Sequence, residues 1–262
     1  MRVPRSLPII VLTALSLLGL TTQAAAAPGK YVALGDSYSS GLGAGSYGSS
    51  GDCKRSSNSY PQLWANAHGP SAFSFVACSG ARTQDVLNNQ VGAVTADTAL
   101  VTISIGGNDA GFASVMTDCN LSSDATCVSR NETAQNYARS TLPGLLDGVY
   151  GQIRAKAPNA RVIVLGYPLI YKLGGSCIVG LSETKRAAIN QSSGVLASVI
   201  SGRAAAHGFT FVDGRTAFSG HEICASGARW LNSVTFPIEE SYHPNTAGQS
   251  GGYYAALRAV TG

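Results

Sequence analysis

Charge is scarce in this chain: Asp, Glu, Lys and Arg together make up 12% of its 262 residues. The basic residues form no block, so the sequence offers no electrostatic footprint for nucleic acid or for an anionic membrane surface. Metal-ligand spacings are missing as well. The six cysteines include no C-x-x-C pair, and His68, His207, His221 and His243 show no H-x-x-x-H spacing, which argues against a metal site. The longest apolar run, residues 7–20, is about 14 residues, short of the roughly 20 that span a bilayer as a helix. No stable membrane insertion is expected. Internal repeats, low-complexity tracts and an interdomain linker are also absent, which leaves a single globular domain as the simplest organisation.

What is present begins with a leader. Arg2 and Arg5 form a positive segment, residues 7–20 an apolar one, and Ala24-Ala25-Ala26 a small-residue cleavage pattern. Residues 1–26 therefore read as a secretory signal peptide and residues 27–262 as one mature, extracellular domain. Without Arg2 and Arg5, 16 basic side chains face 14 acidic ones, a mature net charge near +2. A domain of this length can bury one sizeable core. Six cysteines in an exported chain favour three disulfides, although the number alone allows 15 pairings. The sequential set, Cys53-Cys78, Cys119-Cys127 and Cys177-Cys224, closes three local loops and is the expected one.

Five short apolar, β-rich runs recur at residues 31–34, 73–77, 100–105, 161–165 and 209–212, several of them near-continuous in Val, Ile and Leu as expected of strands covered on both faces. Helical segments are expected between them. Residues 136–157 place Leu145, Leu146, Val149, Tyr150 and Ile153 on one stripe, with Pro143-Gly144 marking an internal start or kink. Residues 182–207 open on Ser182 as N-cap and stop at Gly208. Shorter helices are expected at 84–91 and 245–260. This alternation predicts an α/β domain with a parallel sheet between helices, whose active site gathers beyond the carboxyl ends of the strands. The glycine-rich loop 41–51 is expected to form a mobile rim. Its Gly43-x-Gly45-x-x-Gly48 matches a dinucleotide fingerprint only formally, because no strand feeds it and no helix opens from it.

Three polar motifs fall at those strand ends. Gly35-Asp36-Ser37-Tyr38 follows the first run, Ser79-Gly80 the second and Gly106-Gly107-Asn108-Asp109 the third, while His243-Pro244-Asn245 precedes the last helix. A serine in a glycine turn can approach a carbonyl, but it is a weak nucleophile until a base takes its proton, the usual work of a histidine. Ser37 and His243 supply that pair. The negative oxygen created by attack needs donors already in place. The Gly80 N–H and the Asn108 side-chain amide are suited to that. Asp36 and Asp109 read as turn-stabilising residues.

These four blocks, in this order, resemble the SGNH, or GDSL, family of serine esterases and lipases, and most closely its small secreted bacterial lipases and phospholipases A1. The resemblance spans nearly the whole mature domain. It implies a three-layer α/β/α, flavodoxin-like fold with a parallel five-stranded sheet. It also implies hydrolysis of small-molecule or lipid esters through an acyl-enzyme on Ser37, with His243 as base and without metal or organic cofactor. Ser37 N–H, Gly80 N–H and the Asn108 amide would form the oxyanion hole. A monomer is expected. An ordinary α/β-hydrolase, with its G-x-S-x-G elbow at a strand-to-helix turn, is a poorer match. Two positions depart from the family pattern. Tyr38 replaces Leu, and Glu240 stands three before the histidine where the family has Asp. The expected orienter of His243 is the Ser241 backbone carbonyl, with Glu240 as the alternative. A carbohydrate acetyl esterase of the same family is the second functional reading, and a non-catalytic secreted binding protein the third.

Overall fold

The computed structural model describes residues 29–262; the signal-peptide expectation for residues 1–26 lies outside the described residues. From β1 (Lys30–Gly35) the chain passes through one turn of helix, α1 (Ser37–Ser40), and α2 (Tyr60–His68) into β2 (Phe73–Phe75). A short α3 (Thr83–Asp85), prolonged by a π-type turn over Val86–Gln90, leads to β3 (Thr98–Ser104). Then α4 (Phe112–Leu121), α5 (Asp124–Ser140) and α6 (Leu142–Lys156) precede β4 (Arg161–Leu165). After α7 (Glu183–Ala206) come β5 (Thr210–Val212), α8 (Gly214–Ala217) and a final π-type turn, Gly248–Tyr254, that runs into α9 (Ala255–Thr261). No helix among the described residues is long and apolar enough to cross a membrane.

The five strands form one parallel sheet in the order β2-β1-β3-β4-β5. This is the flavodoxin-like order, whose switch point lies between β1 and β3, with a crevice beyond their carboxyl ends. Helices cover both faces, so the central strands are closed to water: Tyr31 to Leu34 of β1 and Ile163 to Leu165 of β4 are fully buried. That double cover explains their unbroken apolar runs.

The helices were less uniformly encoded. In α7, the Ser182 hydroxyl accepts from the Lys185 N–H (3.3 Å), and Gly208 adopts φ +67° beyond the end, as a cap and stop should. The expected helix over 136–157 is instead the end of α5 and the whole of α6. Pro143 lies in the first turn of α6, where its missing N–H costs nothing. Leu146, Val149, Tyr150 and Ile153 form the buried stripe. The rest of α5 went unrecognised because it buries amides and small side chains rather than an apolar face. Asn131 accepts from the Ser192 hydroxyl of α7 (2.7 Å), and Cys127 bonds to Cys119 of α4. The other two disulfides join Cys53 to Cys78 and Cys177 to Cys224.

Candidate active site

Ser37 opens α1, two residues past the end of β1. Gly35 has φ +123°, and a Cβ there would lie 2.4 Å from the Ser104 carbonyl oxygen, so only glycine lets β1 turn while it stays against β3. Asp36 caps the turn. One carboxylate oxygen accepts from the Tyr38 N–H (3.0 Å) and the Ser104 hydroxyl (2.7 Å), and the other from the Tyr167 hydroxyl. All three partners donate, the pattern that suits an ionised carboxylate. Burial raises the Asp36 pKa to about 6, against the opposing pull of those hydrogen bonds.

His243 arrives from the far end of the chain. Its Nε2 lies 2.8 Å from Ser37 Oγ, and its Nδ1 lies 2.9 Å from the Ser241 carbonyl oxygen. A carbonyl can only accept, so Nδ1 carries the proton and Nε2 presents a lone pair to the serine hydroxyl. Burial lowers the His243 pKa to about 4, with the Ser241 carbonyl acting the other way. The imidazole is therefore neutral at neutral pH. Tyr38 holds the segment in place by donating its hydroxyl to the Tyr242 carbonyl (2.8 Å). Tyr242 itself sits at φ +65°, a conformation that costs a non-glycine residue about 1–3 kcal/mol and persists where the surroundings enforce it. Gln249 adds a second tie, donating to the Tyr38 carbonyl (3.1 Å) and accepting from the Tyr60 N–H (3.0 Å).

The donors expected at the next two strand ends lie around the same cleft as Ser37 and His243. Gly80, at φ +78°, occupies the turn closed by the Ala81 N–H on the Cys78 carbonyl (3.1 Å) and is exposed. The Asn108 amide donates one hydrogen to the Ala81 carbonyl (3.0 Å), which fixes the side chain and leaves its second hydrogen for a ligand. Asp109 has the structural role expected of it, accepting from the Thr83 hydroxyl (2.6 Å) and N–H. It thereby joins the Gly80 turn to the Asn108 turn.

Glu240 is placed elsewhere. Its carboxylate accepts from the Tyr47 hydroxyl (2.6 Å), which in turn accepts from the Gly43 N–H (3.0 Å). The carboxylate thus fastens the 41–51 loop, and the atom on His243 Nδ1 is the Ser241 carbonyl. The loop itself packs on the histidine: a Cβ on Gly43 would stand 2.9 Å from His243 Cβ. Asn58 donates to the Ala44 carbonyl (2.9 Å), and the Ser57 N–H donates to the Ser46 carbonyl (3.0 Å). The loop expected as a rim is tied down by these hydrogen bonds, and Gly43 packs against His243 and Asn232.

Tyr167 is the site residue that sequence reasoning missed. Besides donating to Asp36, its hydroxyl accepts from the buried Gly107 N–H (3.0 Å). One phenol therefore connects the turn that bears Ser37 to the turn that bears Asn108. Its position two residues past β4 was the available signal. The remaining histidines have no part here: His68 stacks on Trp64, His207 meets Asp147 and His221 stacks on Trp230. The string G-x-S-x-G does occur once, as Gly248-Gln249-Ser250-Gly251-Gly252. It lies inside the final π-type turn, with Ser250 exposed and its hydroxyl on the Ala247 carbonyl, so it is no strand-to-helix elbow.

Above Ser37 opens a cleft of about 540 Å³ whose walls are mainly apolar, including Leu42, Met116, Leu121, Val234 and Ile238. Leu121, Val234 and Ile238 are exposed at its mouth. A buried serine–imidazole pair below a hydrocarbon-lined cleft can transfer an acyl group.

Comparison with known proteins agrees with this geometry. The sequence matches the GDSL-like Lipase/Acylhydrolase family over residues 33–250. It is 61% identical over 257 residues to Lipase 1 of Streptomyces coelicolor, an alignment covering 96% of this chain and 95% of that protein. Among solved structures, phospholipase A1 from Streptomyces albidoflavus matches with a TM-score of 0.87 at 59% identity, covering 89% of this chain and 99% of that one. The extracellular lipase of Streptomyces rimosus matches with a TM-score of 0.86 at 58% identity, covering 88% and 99%. In sequence and in fold alike, the chain belongs to the GDSL-like lipase/acylhydrolase family.

Proposed function

We propose that this protein is a secreted carboxylic-ester hydrolase that cleaves lipid esters through an acyl-enzyme on Ser37. The observation that carries the reading is the Ser37 Oγ–His243 Nε2 hydrogen bond at the floor of an apolar cleft. The names of the relatives, lipase and phospholipase A1, support ester hydrolysis. Secretion is supported by the leader pattern of residues 1–26, by three disulfides, and by the extracellular description of the Streptomyces rimosus relative.

In this mechanism His243 Nε2 takes the Ser37 proton as Oγ attacks the ester carbonyl carbon. The imidazolium so formed is held by its Nδ1–H on the Ser241 carbonyl, a Ser-His dyad in which a backbone dipole does the orienting work of a triad acid. Charge on the carbonyl oxygen falls to the Ser37 N–H, the Gly80 N–H and the free Asn108 hydrogen. The Ser37 N–H is available because the first N–H groups of a helix have no carbonyl one turn back. His243 then protonates the departing alkoxide, and a water activated by the same imidazole hydrolyses the acyl-serine. The hydrocarbon walls of the cleft favour an acyl chain over an acetylated sugar.

The test is stoichiometric labelling by an alkyl organophosphonate, followed by peptide mapping. Labelling confined to Ser37, and turnover of p-nitrophenyl and phospholipid esters exceeding that of acetylated xylan, is the expected result. Full activity in Ser37→Ala sinks the reading. Secreted protein should begin at Ala27, with residues 27–262 as the single catalytic domain.

A further inference from the structure

Below the open cleft lie two small internal cavities, of about 20 Å³ and 30 Å³, each with room for little more than a water or a methyl group. The first touches Ser37, Asn108 and Tyr167 and ends at Leu196 of α7. The second continues from Leu196 between α4, α5 and α7, past Ala134 and Ile189. Among the described residues, Phe112 is the one side chain that lines the open cleft and both internal cavities. It is the first residue of α4, follows Gly111 at φ +81°, and is only half-buried. Its ring centroid lies 6.5 Å from that of His243 and 6.5 Å from that of Tyr38, both edge-on.

The second cavity is built for hydrocarbon. Its polar wall residues Asn131, Gln135 and Ser192 are turned on one another. Asn131 accepts from Ser192, Gln135 donates to Ser192 (3.2 Å), and the Asn131 amide donates to the Cys127 carbonyl (2.9 Å). With those groups satisfied, the free wall is Ala134, Ile189, Leu196, Val115 and Met116, and a water there would lack partners. Phe112 lines the same two cavities as Ser37, so it borders the space open to the substituents of an ester bound there.

We propose that Phe112 is the specificity-determining plug between the reaction centre and an internal acyl pocket, and that its ring limits how far a hydrocarbon chain can extend from Ser37 between α4, α5 and α7. Removing the ring joins the cleft to the inner cavities and lets several more methylenes of an acyl chain extend inward. Ala134 lines the inner cavity alone, remote from Ser37, so filling space there should block the same path from its far end. The proposal rests on the ester-hydrolase reading above, and its test separates the two.

The experiment measures kcat/KM for p-nitrophenyl acetate, butyrate, octanoate and palmitate in the wild type, Phe112→Ala, Phe112→Trp, and Phe112→Ala combined with Ala134→Leu. The ratio of palmitate to butyrate should rise about tenfold or more in Phe112→Ala, since each newly buried methylene can discriminate by that order. It should fall in Phe112→Trp, and it should return towards the wild-type value in the double variant. Because the readout is a ratio within each variant, a general loss from disturbing His243 cancels. Variants whose rates scale equally on all four esters overturn the proposal, as does a gain that survives Ala134→Leu. If Phe112→Ala does not fold, Phe112→Trp alone decides by the sign of its shift. A wild type inactive on every ester would instead overturn the functional reading itself.

Discussion

His243 Nδ1 and the Ser241 carbonyl oxygen are 2.9 Å apart, so the residue that orients the imidazole lies two positions before it and contributes no charge. The nearest acidic candidate, Glu240, faces Tyr47. Glu240→Gln should therefore cost less than about tenfold in kcat, against the roughly 10⁴ lost when a true triad acid is neutralised. Ser37→Ala and His243→Ala should each remove about 10³-fold or more. Steady-state kinetics on one soluble ester compares all three, and a Glu240→Gln loss as large as that of His243→Ala would return the carboxylate to the mechanism.

The acid side of the pH profile follows from burial. Burial lowers the His243 pKa to about 4, against the opposing pull of backbone hydrogen bonds at Ser241 and Glu239. The active neutral imidazole should persist well below the ordinary histidine range near 6.5. Plots of kcat/KM against pH should bend near 4. The stability linkage has a definite sign. His243 binds its proton more readily when unfolded, so its contribution is whole above about 6.5 and is lost as pH falls through about 4. Asp36 is opposite: its contribution is present below the usual carboxylate pKa and lost as pH rises through about 6. Acid denaturation followed for the wild type, His243→Ala and Asp36→Asn separates the two.

Asn108 should show the signature of an oxyanion donor. Asn108→Ala should lower kcat by about 10²–10³ with little change in KM, because the bond forms only as charge develops. A change of a few-fold, or one confined to KM, would remove it from that role.

Tyr167→Phe keeps the ring and deletes one hydroxyl. It leaves the buried Gly107 N–H without its acceptor and Asp36 without a donor, a loss of about 1–3 kcal/mol. The melting temperature should fall. Turnover should drop about tenfold with KM nearly unchanged, since the hydroxyl aligns two turns rather than contacting substrate. An unchanged kcat would show that the turns hold their positions without it.

Reducing the link between Cys53 and Cys78 should affect catalysis as well as stability. The bond ties the segment after the 41–51 loop to the turn that carries Gly80, and the Ser79 N–H donates to the Cys53 carbonyl (3.0 Å). Cys53→Ser with Cys78→Ser should cost up to about 3.5 kcal/mol by loop-closure entropy over the 25-residue separation. If kcat survives while the melting temperature falls, the disulfide holds the fold without holding the Gly80 donor.

What the sequence announced was whatever is dictated locally. Parallel strands covered on both faces must be apolar throughout, so β1, β3 and β4 were readable, while the half-exposed edge strands β2 and β5 were marked by short runs containing Phe and Val. A nucleophile turn must contain glycine where a Cβ would strike the next strand, so Gly35 and Ser37 were readable too. Long-range partners were not. Tyr167, Tyr38 and Gln249 bond across 131, 204 and 211 positions; the place of Tyr167 past a strand end marks it as near the site but not its partners, and nothing marks those of Tyr38 or Gln249. Glu240 misled for the same reason, since its offset from His243 is that of a triad acid while its partner lies 193 positions away. Helix α5 escaped because its packing uses disulfide and amide contacts that carry no hydrophobic period.

The 206 positions between Ser37 and His243 also have a meaning in time. Ser37 and the turns that carry Gly80 and Asn108 emerge with the first half of the chain, but His243, proposed as the base, comes only after β5, next to Tyr242 in its left-handed conformation. A chain synthesised or translocated as far as β5 would hold a serine with nothing to deprotonate it. The serine–imidazole pair is thus complete only when the last segment, through Tyr242 and Gln249, docks on Tyr38 and Tyr60.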